Sequence, residues 1–275
     1  MLLLALKEEP SNRQDRFASD TETMRTQLTP PYEKFAYAYD RMMANVNYTR
    51  WTHYIESLFD KYDCKPRTVL DVACGTCALT IELALRDYEM TGVDRAVGML
   101  DVAKEKAAAH DVNIEFHYGD MREFQLNQRF DAVLCTYDSI NYAYDETELS
   151  NVFQCVAEHL EPDGLFIFDV TTERNIVEHF HNRTFASNHE DYTYIWKNNY
   201  LHQSKMCRTI LTFFIREGEL FRRYEEIHQQ RIFEVSTVNE LLKAAGYKPL
   251  SAYDMYTFNR WNRYSDRINF TARLL

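Results

Sequence analysis

The stretch V-L-D-V-A-C-G-T-C, residues 69–77, decides the fold of this chain. Its first half is an apolar run that predicts a buried strand, and its second half is a turn of small residues around Gly75 that leads into a helical stretch. A strand, a tight turn and a helix open a βαβ unit, in which the backbone comes close to a ligand and helix N–H groups face it. The sequence therefore predicts a ligand-binding edge at this turn.

Strand and helix patterns alternate downstream of the turn. Strands are predicted at residues 68–72, 88–93, 113–118, 130–136 and 164–170, and helices at 79–86, 97–109 and 146–160. Strands that alternate with helices of this length predict an α/β protein with a doubly wound, mostly parallel sheet. In such a sheet the ligand crevice lies at the carboxyl ends of the strands.

The pattern changes after Val170. Stretches at 192–196, 207–215 and 220–233 alternate polar and apolar residues, which predicts an antiparallel meander. We place this antiparallel β cover at residues 185–235, inserted after the fifth strand. A helix at 236–245 and two final strands near 250–258 and 267–275 bring the main sheet to seven strands.

The start of the chain differs from the rest. Residues 7–31 are polar and lack an apolar period, so we predict a flexible leader at residues 1–31 and one domain at residues 32–275. The apolar run at residues 1–6 is too short for the core of a signal peptide. No segment approaches the roughly 18 apolar residues of a membrane span, so no membrane association is expected.

Composition narrows the partners and the compartment. The net charge of −11 and the absence of a long Lys/Arg run argue against nucleic acid, whose phosphates demand a basic surface. Cys74 and Cys77 form a C-x-x-C that could indicate zinc or redox chemistry, but there is no second pair and the first lies inside the turn described above. We interpret the other four cysteines as small core residues, and the cysteine content fits a protein of the reducing cytoplasm.

Two acidic residues follow the next strands of the predicted sheet. Asp94 closes the second strand, where a carboxylate accepts hydrogen bonds from both ribose hydroxyls of a nucleotide. The sequence G-D-M at residues 119–121 closes the third strand, where the Asp120 carboxylate can face an adenine amino group. A glycine turn followed by Asp94 also suits an NAD(P)-linked oxidoreductase. The weak glycine pattern and the G-D-M sequence count against that alternative.

Taken together, these motifs resemble the class I S-adenosylmethionine (SAM)-dependent methyltransferases. The resemblance rests on D-V-A-C-G-T-C (71–77), V-D (93–94) with M-L (99–100), G-D-M-R (119–122), C-T-Y-D-S-I-N-Y (135–142) and the strand at 161–170. It implies a Rossmann-like methyltransferase fold with SAM as cofactor. The cofactor-binding residues that it implies are Asp71, Ala73, Cys74, Gly75, Asp94, Arg95, Met99, Gly119, Asp120, Met121 and Tyr137. Cys77 departs from the usual glycine, and its side chain could crowd the methionine part of the cofactor.

The aromatic sequence Y-x-x-F-A-x-x-Y-D at residues 32–40 narrows the resemblance. It is similar to that of small-molecule enzymes such as the sugar-amine N,N-dimethyltransferases, and glycine N-methyltransferases look similar around D-V-A-C-G-T. In the sugar-amine enzymes tyrosines of this segment cover the cofactor, which implies the same for Tyr32, Tyr39 and Tyr48. A sulfonium cation is attracted to aromatic faces by roughly 0.5–2 kcal/mol. The alternative is that these tyrosines only pack helices together. Trp51 is read as a core residue.

The loop at residues 137–142 is expected to line the methyl-transfer pocket. Tyr142 stands where the sugar-amine relatives have a histidine. Tyr142 and Asn141 could orient an acceptor, and Asp138 could accept its proton or merely cap the loop. No Asp-Asp-Asn constellation of the catechol type occurs, so no divalent metal is expected.

One strand of the meander supplies a further candidate. If residues 222–231 form a strand, Tyr224, Glu226, His228 and Gln230 share one face. This face either roofs the active site or is solvated. His228 is the expected acceptor contact from it. The meander could instead pair two chains at an edge to form a homodimer.

We therefore predict an enzyme that transfers the SAM methyl group to a nitrogen or oxygen atom of a small molecule. Two alternatives stay open at this point. One is a non-catalytic SAM-binding or partner-binding protein on the same fold, and the other is the NAD(P)-linked oxidoreductase. Fold alone does not decide between them, because one fold hosts many functions.

Overall fold

The computed structural model describes residues 27–275, so most of the predicted leader lies outside the described residues. At its end, however, Gln27–Thr29 form a strand that pairs in parallel with residues 224–226. The predicted leader boundary at residue 31 is therefore wrong. A strand of three residues carries too little pattern to be predicted from the sequence. This strand forms because residues 224–226, which lie far away in the sequence, offer it a free sheet edge.

The strands, in chain order, are β1 (Gln27–Thr29), β2 (Thr68–Val72), β3 (Glu89–Asp94), β4 (Glu115–Tyr118), β5 (Phe130–Cys135), β6 (Leu160–Thr171), β7 (Thr184–Asn188), β8 (Tyr192–Leu201), β9 (Met206–Glu217), β10 (Leu220–Arg231), β11 (Tyr247–Asp254) and β12 (Arg267–Leu274). The helices are α1 (Ala36–Met42), α2 (Tyr48–Lys61), α3 (Ala78–Ala84), α4 (Val97–Ala109), α5 (Glu146–Glu158), the short α6 (Glu173–Asn175) and α7 (Val235–Ala244). No helix among residues 27–275 combines the length and the apolar composition needed to cross a membrane.

Seven strands form the main sheet in the order β11-β12-β6-β5-β2-β3-β4. The pairs from β6 to β4 are parallel, and β12 is antiparallel to both of its neighbours. This confirms the predicted doubly wound, mostly parallel seven-stranded sheet. Because the chain reverses its winding direction at β2, the carboxyl ends of β2, β3 and β5 open onto one crevice.

Helices cover both faces of this sheet, because consecutive residues of its central strands are apolar and point to opposite sides. On one face, α2 and α3 pack against Val69, Leu134 and Ile167. On the other face, α5 and α7 pack against Val133 and Phe166. All five of these strand residues are completely buried. Two apolar layers therefore hold the strand ends rigid at the crevice.

A second sheet, with the strand order β1-β10-β9-β8-β7, forms the predicted antiparallel cover. Its antiparallel strands span residues 184–231, and only β1 joins in parallel. The cover is confirmed, but β7 was not predicted. Its residues are mostly exposed, and its two apolar residues are neighbours in the sequence, so they lack the alternating pattern that marks the other strands.

Candidate active site

One cavity lies at the carboxyl ends of the main-sheet strands, beneath the aromatic N-terminal segment. All of the residues that the sequence implied for cofactor binding line it: Tyr32, Tyr39, Tyr48, Asp71, Ala73, Cys74, Gly75, Asp94, Arg95, Met99, Gly119, Asp120, Met121 and Tyr137. Of the predicted catalytic residues only Tyr142 lines it. Ser139 of the loop at residues 137–142 also lines it, as expected, and the lining residues that sequence reasoning missed are Trp51, Thr76, Ala78, Leu79, Ala96 and Thr136.

The turn after β2 has an alternating left-handed backbone. The φ angles of Ala73, Gly75 and Cys77 are 60°, 56° and 57°. Only glycine adopts this region without steric cost, so Ala73 and Cys77 carry backbone strain. A Cβ at Gly75 would meet no atom within 4 Å, which shows that open space faces this residue. The turn therefore brings its backbone directly to the cavity.

Cys77 does not face that cavity. Its side chain is completely buried, its Sγ lies 3.3 Å from the carbonyl oxygen of Ala103, and it packs against Ile81 and Ala103. The expected crowding of a ligand by Cys77 is therefore wrong, because the left-handed backbone directs the side chain toward α4. Burial raises the pKa of the Cys77 thiol to about 12, so it stays protonated. Cys74 and Cys77 are not joined by a disulfide.

Carboxylates hold the floor of the cavity in shape. The Oδ2 atom of Asp94 accepts a hydrogen bond from the Gly75 N–H at 2.8 Å, and its Oδ1 accepts one from the Ala96 N–H at 2.8 Å. Burial raises the pKa of Asp94, against the effect of these N–H groups. Asp71 lies deeper, with Thr80 donating to it at 2.7 Å, and burial raises its pKa to about 7.

Asp120 closes the next strand end and is held by arginine. Although burial opposes its ionisation, hydrogen bonds from Arg122 at 2.6 and 2.7 Å lower the pKa of Asp120. Gly119 is required here, because a Cβ at this position would lie 2.7 Å from the Cβ of Phe124. The turn thus presents a fixed carboxylate beside the cavity.

The N-terminal segment closes the cavity with tyrosine rings. The Tyr32 ring lies edge-on to the Tyr39 ring, with their centroids 5.9 Å apart. Burial raises the pKa values of Tyr32 and Tyr39 well above 10, so both stay neutral. Glu226 on β10 holds this segment: its carboxylate accepts hydrogen bonds from the N–H groups of Tyr32 at 2.8 Å and of Lys34 and Phe35 at 3.2 Å each.

The second sheet meets the cavity through His228 and Tyr142. The Tyr142 hydroxyl lies 2.6 Å from the Tyr32 hydroxyl and 2.9 Å from Nδ1 of His228. The Nε2 atom of His228 lies 3.2 Å from a carboxylate oxygen of Glu226. His228 and Glu226 are both buried, which excludes the alternative of a solvated face at these positions. His228 itself does not line the cavity. Its hydrogen bond to Tyr142, which does line the cavity, connects it to the site.

Comparisons with known proteins now identify the family. The model of a methyltransferase domain matches residues 69–164. A protein of Geobacillus sp. (strain WCH70) that is named as a methyltransferase is 34% identical over 244 residues, covering 88% of this chain and 99% of its own. A crystal structure of an S-adenosylmethionine-dependent methyltransferase from Clostridium acetobutylicum superposes with a TM-score of 0.78 at 28% identity, covering 88% of this chain and 98% of that one. The chain belongs to the class I SAM-dependent methyltransferases.

A further relative of this methyltransferase has a named substrate. It is the dTDP-3-amino-3,6-dideoxy-alpha-D-glucopyranose N,N-dimethyltransferase of Streptomyces fradiae. The two are 31% identical over 123 residues, which is 45% of this chain and 47% of the relative. The similarity to sugar-amine enzymes noted in the sequence is therefore real over part of the chain.

The cavity of this methyltransferase fits SAM on chemical grounds. The cofactor has ribose hydroxyls and an adenine amino group that donate hydrogen bonds, and the strand ends present the Asp94 and Asp120 carboxylates as acceptors. Its sulfonium is a cation, and tyrosine rings line the same cavity. The open space at Gly75 is also consistent with a ligand that lies against the backbone.

Asn141 has a different role from the one predicted. It is completely buried, its Nδ2 donates to the Arg231 carbonyl at 2.7 Å, and its Oδ1 accepts from the Thr171 N–H at 3.0 Å. The predicted acceptor contact is therefore wrong, because both ends of the amide are used to tie the loop to β6 and β10. A polar residue in a pocket loop does not reveal such partners, since they come from distant strands.

Asp138 also holds the loop and does not line the cavity. It pairs with Arg267 at 2.6 Å and accepts a hydrogen bond from Gln230 at 2.5 Å. Tyr137 and Asp138 are both left-handed, with φ angles of 62° and 55°. The Asp169 carboxylate accepts hydrogen bonds from their N–H groups at 2.6 and 2.9 Å. Asp138 therefore has the loop-holding role that the sequence left as its alternative, and Asp169 and Arg267 were missed.

Proposed function

We propose that this enzyme transfers a methyl group from SAM to a nitrogen or oxygen atom of a small molecule. The observation that carries this proposal is the position of the Tyr32 and Tyr142 hydroxyls. They lie 2.6 Å apart where the cavity at the strand ends meets the second sheet. A polar acceptor group that enters there is brought to the cofactor cavity under a closed roof.

The chain's own residues would hold the cofactor as follows. Asp94 would accept hydrogen bonds from the ribose hydroxyls, Asp120 would accept one from the adenine amino group, and the backbone at Gly75 would contact the methionine part. The rings of Tyr32 and Tyr39 would attract the sulfonium cation. When bound, SAM supplies an activated methyl group, so the protein's task is to align the acceptor and exclude water. The N-terminal segment at residues 32–42, called the cap from here on, and the fixed strand ends perform both tasks.

The second sheet carries a row of polar side chains that includes His228. Asn198, Thr209 and His228 lie in one row across β8, β9 and β10. Asn198 Oδ1 accepts hydrogen bonds from Trp196 Nε1 and Thr209 Oγ1, both at 2.6 Å, while its buried Nδ2 has no partner. Asn198 and Thr209 do not line the cavity. The support for a small-molecule acceptor is therefore the named activity of the Streptomyces fradiae relative, a sugar-amine N,N-dimethyltransferase.

Calorimetry tests the cofactor, and product detection tests the reaction. The purified protein is titrated with SAM, S-adenosylhomocysteine and NADH, and we expect the first two to bind and NADH not to bind. It is then incubated with SAM and panels of small amines and alcohols, with S-adenosylhomocysteine and methylated product detected by mass spectrometry. Absence of binding by both sulfur ligands, or binding of NADH alone, would contradict the proposal.

We also propose that the enzyme works in the cytoplasm. The support is that all six cysteines are free, which is usual in a reducing compartment. A homodimer paired along an edge of the antiparallel sheet stays a prediction. Light scattering of the purified protein would test it, and a monomer at micromolar concentration would exclude it.

A further inference from the structure

Four side chains form one hydrogen-bonded line from the cavity into the second sheet. In order they are Tyr32, Tyr142, His228 and Glu226, with successive distances of 2.6, 2.9 and 3.2 Å. They come from the N-terminal cap, the turn after β5 and strand β10. The line therefore exists only when these three parts of the chain are docked together.

Hydrogen-bonding rules give this line a direction. A carboxylate only accepts, so His228 must donate its Nε2–H to Glu226. In the neutral imidazole Nδ1 is then an acceptor, and the Tyr142 O–H must donate to it. The Tyr142 oxygen is left to accept from Tyr32 or from a bound ligand. Every donor thus points away from the cavity and toward Glu226.

Glu226 has His228 as its one ionisable hydrogen-bond partner among the described residues. Glu226 is completely buried, and its other partners are the uncharged N–H groups of the cap. Within residues 27–275 no Lys or Arg forms an ion pair with it. In the resting state His228 is the neutral tautomer described above, with Nδ1 free to accept a proton. When Nδ1 takes up a proton during the reaction, the Glu226 oxygen that lies 3.2 Å from Nε2 is the group that pairs with the imidazolium.

Tyr142 is suited to transfer a proton and not to act as a phenolate base. Burial raises its pKa far above 10, so the free phenolate is not available as a base. Its hydroxyl can nevertheless receive a proton from a ligand while it gives its own to His228. Of the four side chains in this line, Tyr142 and Tyr32 line the cavity.

We propose that Tyr142, His228 and Glu226 form a relay that removes a proton from the methyl acceptor. This inference rests on the proposed methyl transfer and deepens it. As the acceptor's lone pair forms the bond to the methyl carbon, the carbon–sulfur bond breaks and its electron pair stays on sulfur. The acceptor's proton passes to Tyr142, whose own proton passes to His228, and Glu226 pairs with the imidazolium until solvent takes the proton.

The relay defines the class of acceptor. The reacting atom of the acceptor must have a lone pair and also carry a proton that it loses on methylation, as in a hydroxyl group or a neutral primary or secondary amine. Tyr142 is then a catalytic residue, because it touches the acceptor. His228 receives the proton, and Glu226 is a positioning residue that fixes the tautomer of His228 while it holds the cap.

A spectroscopic test needs no acceptor. The full-length protein is labelled with ¹⁵N-histidine, saturated with S-adenosylhomocysteine and studied by long-range ¹H–¹⁵N NMR. His228→Gln identifies the signals of His228. We expect Nε2 protonated and Nδ1 unprotonated, a shift of Nδ1 toward the value of a free nitrogen in Tyr142→Phe, and a mixture of tautomers in Glu226→Gln. A protonated Nδ1, or an Nδ1 signal that Tyr142→Phe leaves unchanged, would overturn the relay.

Turnover provides the second test, with an acceptor found in the amine and alcohol panels. Tyr142→Phe and His228→Gln should each lower the turnover number by about 100-fold, the size of a general-base contribution. The double variant should lie within about threefold of the slower single variant, because residues of one unit are not additive. SAM affinity should stay within about threefold in all three variants.

The control is His53→Gln, which changes an exposed histidine of α2 and should leave turnover unaltered. Near-normal turnover in Tyr142→Phe and His228→Gln, with SAM bound normally, would reject the relay and leave the methyltransferase function standing. Absence of SAM binding by the wild-type protein would instead reject the proposed function, and the relay with it.

Discussion

At the floor of the cavity, which the ends of β2, β3 and β4 form, hydrogen bonds join residues that are close in the sequence. In the roof, which the N-terminal segment (residues 32–42), the turn after β5 and strand β10 form, they join residues far apart. Asp94 binds N–H groups 2 and 19 residues away, and Asp120 binds Arg122 at a separation of 2. Glu226 binds the N–H of Tyr32 across 194 residues, and Tyr142 meets His228 across 86. The floor is thus completed by each strand end and its turn, and the roof only by docking of the second sheet.

Because of this difference, substitutions in the two regions should affect different properties of the enzyme. Changes in the floor should act on SAM affinity directly, because its carboxylates and backbone turn face the cavity. Changes in the roof should act through the cap or on turnover, because its polar groups reach the cavity only through tyrosines. The following predictions, from the largest expected effect to the smallest, test that separation.

Asp94→Ala should weaken SAM binding by about 1000-fold, or roughly 4 kcal/mol. The substitution removes a charged acceptor for two ribose hydroxyls, each worth about 1.5–3 kcal/mol, and the bond to the Gly75 N–H. Isothermal titration calorimetry measures it. Asp101→Ala, which changes an exposed carboxylate of α4, is the control. A dissociation constant within threefold of wild type would remove Asp94 from the ribose site.

Phe35→Ala should lower the free energy of unfolding by about 3 kcal/mol and weaken SAM binding by about tenfold. Phe35 is buried, with its ring centroid 5.7 Å from that of Phe213 in the second sheet, so truncation leaves a cavity under the cap. Urea unfolding and calorimetry measure the two effects. Tyr37→Ala, at a largely exposed position of the helix α1 that follows Phe35, is the control. If stability falls and SAM binding does not, the cap contributes nothing to cofactor affinity.

Asp71→Asn should change how stability depends on pH. Because burial raises the pKa of Asp71 to about 7, the folded state binds a proton more tightly than the unfolded state. This contribution to stability is present at low pH and is lost as the pH rises from about 4 to about 7. Asparagine does not titrate, so the variant should gain about 2 kcal/mol relative to wild type between pH 5 and pH 8. Urea unfolding at both pH values measures the gain, and an unchanged difference would mean that Asp71 is ionised throughout.

Ala73→Gly should raise the free energy of unfolding by about 0.5–1 kcal/mol. Ala73 has a φ of 60°, which glycine adopts without strain. Ala108→Gly is the matched control, because the same change at an exposed position of α4 should lower stability by about 1 kcal/mol. Effects of the same sign in both variants would show that the turn after β2 is not strained.

Sequence patterns predicted the floor well and the roof poorly. The floor residues follow buried strands with regular spacing, so their place at the strand ends follows from the βαβ repeat. Glu226, Asp169 and Arg267 carry no such signal, because Glu226 binds the N–H of Tyr32 across 194 residues and Arg267 binds Asp169 across 98. Asn141 was misread for the same reason: the backbone groups that occupy its amide belong to β6 and β10.

The sequence by itself determined the main parallel sheet with its helices, the antiparallel second sheet, the family and most residues around the cofactor cavity. It could do so because apolar periodicity and turn residues are local properties. Only the tertiary structure decided that Cys77 points away from the cavity, that β1 joins the second sheet, and that Tyr142, His228 and Glu226 meet in one line. Those outcomes depend on the register and docking of distant strands. The free energy that selects them comes from burial and hydrogen bonds between segments that no local pattern connects.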